Sequence, residues 1–303
     1  MLEDESGRVQ LIGDILRSVV LVTGCIIAVM GTENANGEFE VLDLKFPDLP
    51  PQPPRWQLSR PTNGVKKESS GGEDVEMSDA QAAESSTKIA IVSGLEFSSS
   101  DTSYAAELNL LLEFLLGEAL DPSTQKEISQ ISRLIIAGNS IGAEGKPVLE
   151  ESAEKKFHKK YGYDSSSYNA VPSQLLDDFL SELLPTMPVT LLPGALDPAN
   201  MSFPQQPIHS AMFPKSRPYA AMPGAKEAGW FDSVTNPWEA EVEGWRVLGT
   251  GGQNVDDIFK YVDSDDRLGM MEAMCRWQLS APTAPDTLCK LGILQSKMLL
   301  PRC

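Results

Sequence analysis

Two histidines, His158 and His209, are the whole imidazole supply of a chain that carries Asp and Glu 43 times. Imidazole changes charge near neutral pH and is the commonest ligand of catalytic metals, so its scarcity narrows the available chemistry. A binuclear metal site acting on phosphate esters needs several His, Asp and Asn ligands at strand ends, to neutralise two cations and deprotonate a water. His158 lies in a basic stretch and His209 in a proline-rich loop, and neither follows an apolar strand-like run. A serine or cysteine nucleophile would draw its base from the same two residues, and no G-x-S-x-G elbow is present. Gly249-Thr250-Gly251-Gly252 lacks the G-K-[ST] that completes a phosphate-cradling loop, and it reads as a bend between Val247-Leu248 and the run from Val255 to Ile258. Asp197, in Leu196-Asp197-Pro198, is an isolated acid that reads as a turn former or helix cap. Cys25, Cys275, Cys289 and Cys303 show no C-x-x-C spacing and read as reduced, structural residues of an intracellular protein, with no zinc knuckle. The residues therefore nominate no catalytic, cofactor-binding or metal-ligating set.

The elements that would position any chemistry are organised around residues 132–200. Ser132-Arg133-Leu134-Ile135-Ile136-Ala137 runs into Gly138-Asn139, and Val189-Thr190-Leu191-Leu192 runs into Pro193-Gly194-Ala195-Leu196-Asp197. Each reads as a buried strand emptying into a loop, and the span between them suits a helical crossover. The two strands are then expected to be parallel neighbours whose C-terminal loops meet at one sheet edge, where α/β proteins keep their ligand sites. Residues 89–95 supply a further strand, residues 105–120 a leucine-rich helix, residues 123–131 a lead into the central strand, and residues 174–184 an amphipathic helix stopped by Pro185.

Upstream, residues 7–11 and 18–30 alternate or run apolar, and Asn36-Gly37 predicts a hairpin between residues 20–30 and 39–46. A proline-rich connector fills residues 47–61, and residues 62–88 read as a disordered acidic linker whose Ser69, Ser70 and Ser78 are open to phosphorylation or to no specific role. The domains expected are thus residues 1–61, the linker at 62–88, and an α/β domain over 89–288, followed by an atypical tail at 289–303.

The formal net charge of -18 opposes autonomous binding to nucleic acid and favours basic partners. Lys155, Lys156, His158, Lys159 and Lys160 stand out against it, with three readings open: a solvated helix face, a dock for an acidic segment, or a contact to a nucleic-acid backbone. The apolar run at residues 19–30 is too short to span a bilayer and lies too deep for a secretory signal, so no membrane association is expected.

Longer strings carry a specific resemblance. Leu191-Leu192-Pro193-Gly194-Ala195-Leu196-Asp197-Pro198-Ala199-Asn200, Pro204-Gln205-Gln206-Pro207-Ile208-His209 and Met212-Phe213-Pro214 resemble the small-subunit family of eukaryotic DNA polymerase delta. So do residues 248–258, residues 280–288, Val22-Thr23-Gly24 and Ala28-Val29-Met30-Gly31, in the same order over most of residues 2–288. The resemblance implies an OB-fold beside a calcineurin-like phosphoesterase domain that is catalytically inactive. It implies a noncatalytic scaffold in DNA replication, in the nucleus, without cofactors. The implied partners are the catalytic subunit, through its C-terminal zinc and iron-sulfur region, a third accessory subunit, and DNA through the complex. The metal motif D-x-H of active relatives falls on Gly94, Leu95 and Glu96, G-D-x-x-D on Gly138, Asn139, Ser140, Ile141 and Gly142, and G-N-H-D on Gly194, Ala195, Leu196 and Asp197. Only the last acid survives.

The family pattern extends further at both ends, and residues 289–303 depart from it, so a truncated product with a partial OB-fold is expected. An independent nucleic-acid-binding OB module and a degenerate metal-dependent phosphoesterase are the alternatives. Trp230-Phe231 and Asn236-Pro237-Trp238 are read either as partner anchors or as core packing.

Overall fold

The structure, a computed structural model, describes residues 1–51, 88–100, 103–118, 120–142, 169–222, 229–243 and 245–288. The expected linker, apart from Lys88, the basic stretch with His158, and the 289–303 tail with its two cysteines lie outside the described residues. The chain forms two compact units, one of Met1–Pro54 with Gly252–Cys303 and one of Arg55–Gly251.

The first unit opens with four strands, β1 (Leu2–Glu3), β2 (Arg8–Ile12), β3 (Ala28–Glu33) and β4 (Glu38–Lys45), in the order β1-β2-β4-β3. The hairpin forms between β3 and β4 as the Asn-Gly pair predicts, with Gly37 at φ +79°. The Asn34 side chain accepts from the Asn36 and Glu38 amides at 2.9 and 3.0 Å, which closes the turn locally. The first hairpin strand starts at Ala28 rather than at residue 20, because the stretch before it contains a turn in which the Cys25 amide donates to the Val22 carbonyl.

In the second unit, β5 (Lys88–Val92), β6 (Ile131–Ala137), β7 (Val189–Leu192) and β8 (Phe231–Ser233) form an all-parallel sheet in the order β5-β6-β7-β8. The expected pairing of the two organising strands is observed, with Leu134 opposite Val189 and Ala137 opposite Leu192. Helices α1 (Ala105–Leu116) and α2 (Pro122–Ile128) join β5 to β6, and α3 (Val171–Leu183) precedes β7. Residues 123–131 hold a short helix where the sequence reading has only a lead into the strand. Asp121 is its N-cap, accepting from the Ser123 and Thr124 amides ahead of Pro122 in the first turn. One face of the sheet buries Leu134, Ile136, Val189, Leu191 and Phe231 against Leu115 of α1 and Leu176, Phe179, Leu180 and Leu183 of α3. Each such side chain contributes about 1.5–3 kcal/mol relative to exposure, so this apolar layer dominates the unit's stability. Strands β9 (Trp238–Val242) and β10 (Trp245–Gly249) form a separate antiparallel hairpin.

The chain then returns to the first unit through α4 (Gln253–Ile258), α5 (Arg267–Trp277) and α6 (Ala284–Thr287). Ile258, Met270, Met274, Trp277 and Leu279 bury against Val22, with Phe46 packed alongside and its ring 6.1 Å from that of Trp277. Residues 252–288, grouped with the α/β domain in the sequence reading, therefore fall in the first unit and pack against Val22, Cys25 and Phe46, which lie outside its strands. Among the described residues no helix is long and apolar enough to cross a membrane.

Candidate functional site

The loops leaving β5, β6 and β7 meet at one edge of the parallel sheet, as its topology requires. The Gly94 amide donates to the Gly138 carbonyl at 3.1 Å, Glu96 to Asn139 at 3.1 Å, and Phe97 to Ser140 at 2.9 Å, so the first two loops are laced by their backbones. The third joins them through one side chain. Asp197 Oδ1 accepts from the Ile141 amide at 2.8 Å and Oδ2 from the Gly194 amide at 2.7 Å. Asn139 reciprocates, its Oδ1 accepting from the Leu196 amide at 3.1 Å.

Glycine makes the approach possible. A Cβ on Gly138, which sits at φ +85°, would lie 3.0 Å from the Gly194 Cα and 3.1 Å from the Gly251 carbonyl oxygen. A Cβ on Gly194 would fall 2.3 Å from the Asn139 nitrogen, so the two loops touch backbone to backbone. Asn236 and Gln205 knit the next layer. The Asn236 amide nitrogen donates to the Pro193 carbonyl at 3.0 Å and to Gln205 Oε1 at 2.9 Å, its oxygen accepts from the Gly251 amide at 3.1 Å, and Gln205 Nε2 donates to the Gly194 carbonyl at 3.2 Å.

Asp197 is 5% exposed, and burial pushes its carboxyl above the ordinary carboxylate range, while the amides of Ile141, Gly194, Ser140 and Asn139 pull it back down. Both its oxygens are committed to backbone donors. The reading of Asp197 as a turn former describes its bond to Gly194; the bond to Ile141 reaches across 56 positions of sequence and had no local signal. Leu95 is packed into the apolar core, Glu96 is exposed, and Asn139 spends its side-chain oxygen on Leu196. These groups do not fit a pair of divalent cations, which demands several convergent oxygen and nitrogen donors, where this edge offers one buried carboxylate. Among the described residues no three His, Cys, Asp or Glu side chains gather closely enough to hold a metal ion. His209 stands elsewhere, exposed, its Nδ1 accepting from the Ala211 amide at 3.2 Å to cap a turn of 3-10 helix at Ser210–Met212.

Other polar positions carry structure that single-sequence reading passed over. Arg133 interrupts an apolar run, and it points to the sheet face opposite α1 and α3. It donates to Thr190 Oγ1 at 2.8 Å, to Asp232 Oδ2 at 3.2 Å and to the Gly229 carbonyl at 3.1 Å, tying β6, β7 and β8 together. The lone charge was the available signal, since a cation in a central strand needs a partner on a neighbour. Asp177 of α3 is 1% exposed and accepts from the Lys215 and Ser216 amides at 2.8 and 2.9 Å and from the Ser216 hydroxyl at 2.6 Å. A cleft of about 540 Å³ opens beside Arg133, walled by Phe231, Trp238, Ala240 and Val242, with Arg217, Glu241 and Glu243 among its polar residues. Of the aromatic pairs read as anchors, Phe231 is core, Trp238 lines this cleft, and Trp230 is 49% exposed.

Comparison with known proteins gives two family matches. Residues 89–302 match the family model of the DNA polymerase alpha/epsilon B-subunit, and residues 1–44 match the DNA polymerase delta subunit OB-fold domain. The chain is 34% identical over 313 residues to the DNA polymerase delta small subunit of Saccharomyces cerevisiae, with 95% of this chain and 55% of that protein covered. It is 34% identical over 288 residues to the DNA polymerase delta small subunit of Arabidopsis thaliana, covering 95% of this chain and 56% of the relative. With the Drosophila melanogaster DNA polymerase delta subunit 2 it shares 30% over 296 residues, covering 98% and 58%. The chain thus spans little more than half the length of these relatives.

Proposed function

The chain belongs to the DNA polymerase alpha/epsilon B-subunit family, and from that premise we propose that it serves as a noncatalytic accessory subunit of a DNA polymerase delta complex. The observation that carries the noncatalytic part is the state of Asp197, whose two carboxylate oxygens are spent on the Ile141 and Gly194 amides. A group so held is oriented by the loop backbones it crosslinks, and among the described residues it belongs to no cluster of three His, Cys, Asp or Glu side chains that could hold a metal ion. In this reading the second unit is a phosphoesterase-like scaffold of the calcineurin type, and residues 1–44 belong to an OB-fold domain. Its role is to bridge the catalytic subunit, through that subunit's C-terminal region, and a third accessory subunit during DNA synthesis in the nucleus, with DNA reached through the complex. A surface of net charge -18 supports recognition of basic protein segments over direct binding of a polyanion.

The test is co-purification of the 303-residue chain, separately, with the catalytic subunit's C-terminal region and with the third subunit, alongside a phosphodiester hydrolysis assay in manganese. Stoichiometric capture of at least one partner with no hydrolysis is expected. Capture of neither by a folded chain, or hydrolysis abolished by Asp197→Ala, overturns the reading.

A further inference from the structure

Helix α1 is apolar on both sides. Its inward stripe, Leu108, Leu111, Leu112, Leu115 and Leu116, packs on the sheet. On the opposite side Leu110 is 64% exposed and Phe114 is 46% exposed, one turn apart, with exposed Ala106 one turn before them. Helical geometry places residues 106, 110 and 114 in one row, with Glu107 on one flank and Glu113 on the other. Both glutamates are exposed, and neither carboxylate has an ion-pair partner among the described residues. The helix contains no basic residue at all. A second apolar row of two large side chains on the face away from the core, bounded by carboxylates, is the arrangement an amphipathic partner helix covers. The row between two unpaired carboxylates therefore has a complement of definite chemistry.

We propose that the outer row of α1 docks an amphipathic helix of a partner protein whose apolar stripe is flanked by lysine or arginine. The apolar stripe covers Ala106, Leu110 and Phe114, and the flanking cations meet Glu107 and Glu113, which sets both the register and the sign of the partner. The inference rests on the accessory-subunit reading, in that such a chain works by holding other subunits, and it assigns one surface to that work.

The probes are two synthetic helical peptides of about 18 residues, five turns, with the same leucine stripe, one flanked by lysines and the other by glutamates. Binding to the intact chain is read by fluorescence anisotropy. The lysine-flanked peptide is expected to bind at least about tenfold more tightly than the glutamate-flanked one. Leu110→Ser with Phe114→Ser weakens it by about tenfold or more through lost apolar contact, with the circular dichroism unchanged because both positions face solvent. Glu107→Lys with Glu113→Lys is the arm that a damaged fold cannot imitate, since it transfers the preference to the glutamate-flanked peptide. Equal binding of the two peptides, or unchanged preference after the charge reversal, overturns the proposal. Failure of co-purification with both polymerase subunits while the peptide preference holds removes the accessory reading and leaves the surface.

Discussion

Asp197 shows what a carboxylate becomes when its neighbours supply amides instead of further ligands. It closes the loop after β7 onto the loop after β6, and the closure depends on both oxygens being acceptors. Asp197→Asn replaces one acceptor with an NH2 group that faces a backbone N–H, so the variant loses a hydrogen bond and strands a buried donor. We expect a loss of about 1–3 kcal/mol, measured as a fall in the urea midpoint at neutral pH. The pH dependence follows from the direction of the shift. A carboxyl raised in the folded state by burial gives stability that is fully present below its unfolded pKa and is lost as pH rises through the folded value. The wild type's advantage over Asp197→Asn should therefore shrink as pH rises from about 4 through that raised pKa. An advantage that grows with pH across that window would mean that the four amides, and not burial, govern the carboxyl.

At the scale of elements, what was legible in the sequence tracks what is local. The strand runs ending at Gly138 and Gly194, the Asn36-Gly37 turn and the Pro185 stop all declare themselves within a few residues, and β6, β7, the β3–β4 hairpin and α3 formed accordingly. Bonds that join distant segments were not legible, since Gln205 with Asn236, Arg133 with Asp232, and Asp177 with Ser216 each bridge 31 or more positions with no pattern in between. Asp177 shows how much rests on such a bond. On the amphipathic helix α3 an acid at this position looks like part of the solvated face, yet it is buried and anchors the Lys215 and Ser216 backbone. Asp177→Ala should leave two inward-facing amides and the Ser216 hydroxyl without their acceptor, at a cost of about 2–4 kcal/mol. Loss of hydrogen-exchange protection at the Ser216 amide should accompany the drop in stability; protection that survives the substitution would show that the loop is held by other contacts.

For the molecule as a whole, the surprise is where the chain goes after Gly251. Patterning separates a hairpin-bearing N-terminal region, whose sheet is mixed because β2 pairs parallel with β4, from a later α/β region, and nothing in residues 252–288 advertises a return, because a helix does not record which segment it covers. The return is made by apolar burial: the loop before β3 supplies Val22 and the residue after β4 is Phe46, while the C-terminal segment supplies Ile258, Met270, Met274, Trp277 and Leu279. Asp48 adds polar contacts on the same side, accepting from Arg276 at 2.6 Å with its carboxylate and from Gln278 at 2.8 Å with its carbonyl. Val41 is the only buried side chain in the four strands, so the sheet has little apolar core of its own. Trp277→Ala removes the largest side chain of the cluster and should cost the first unit about 3–5 kcal/mol. The informative readout is spatial. Amides of β3 and β4, far from residue 277 in sequence, should lose hydrogen-exchange protection together with those of α5, because all three belong to one cooperative unit. Loss confined to α5, with the β3–β4 hairpin still protected, would show that the N-terminal sheet stands without the helices and that the chain's return is a dispensable addition.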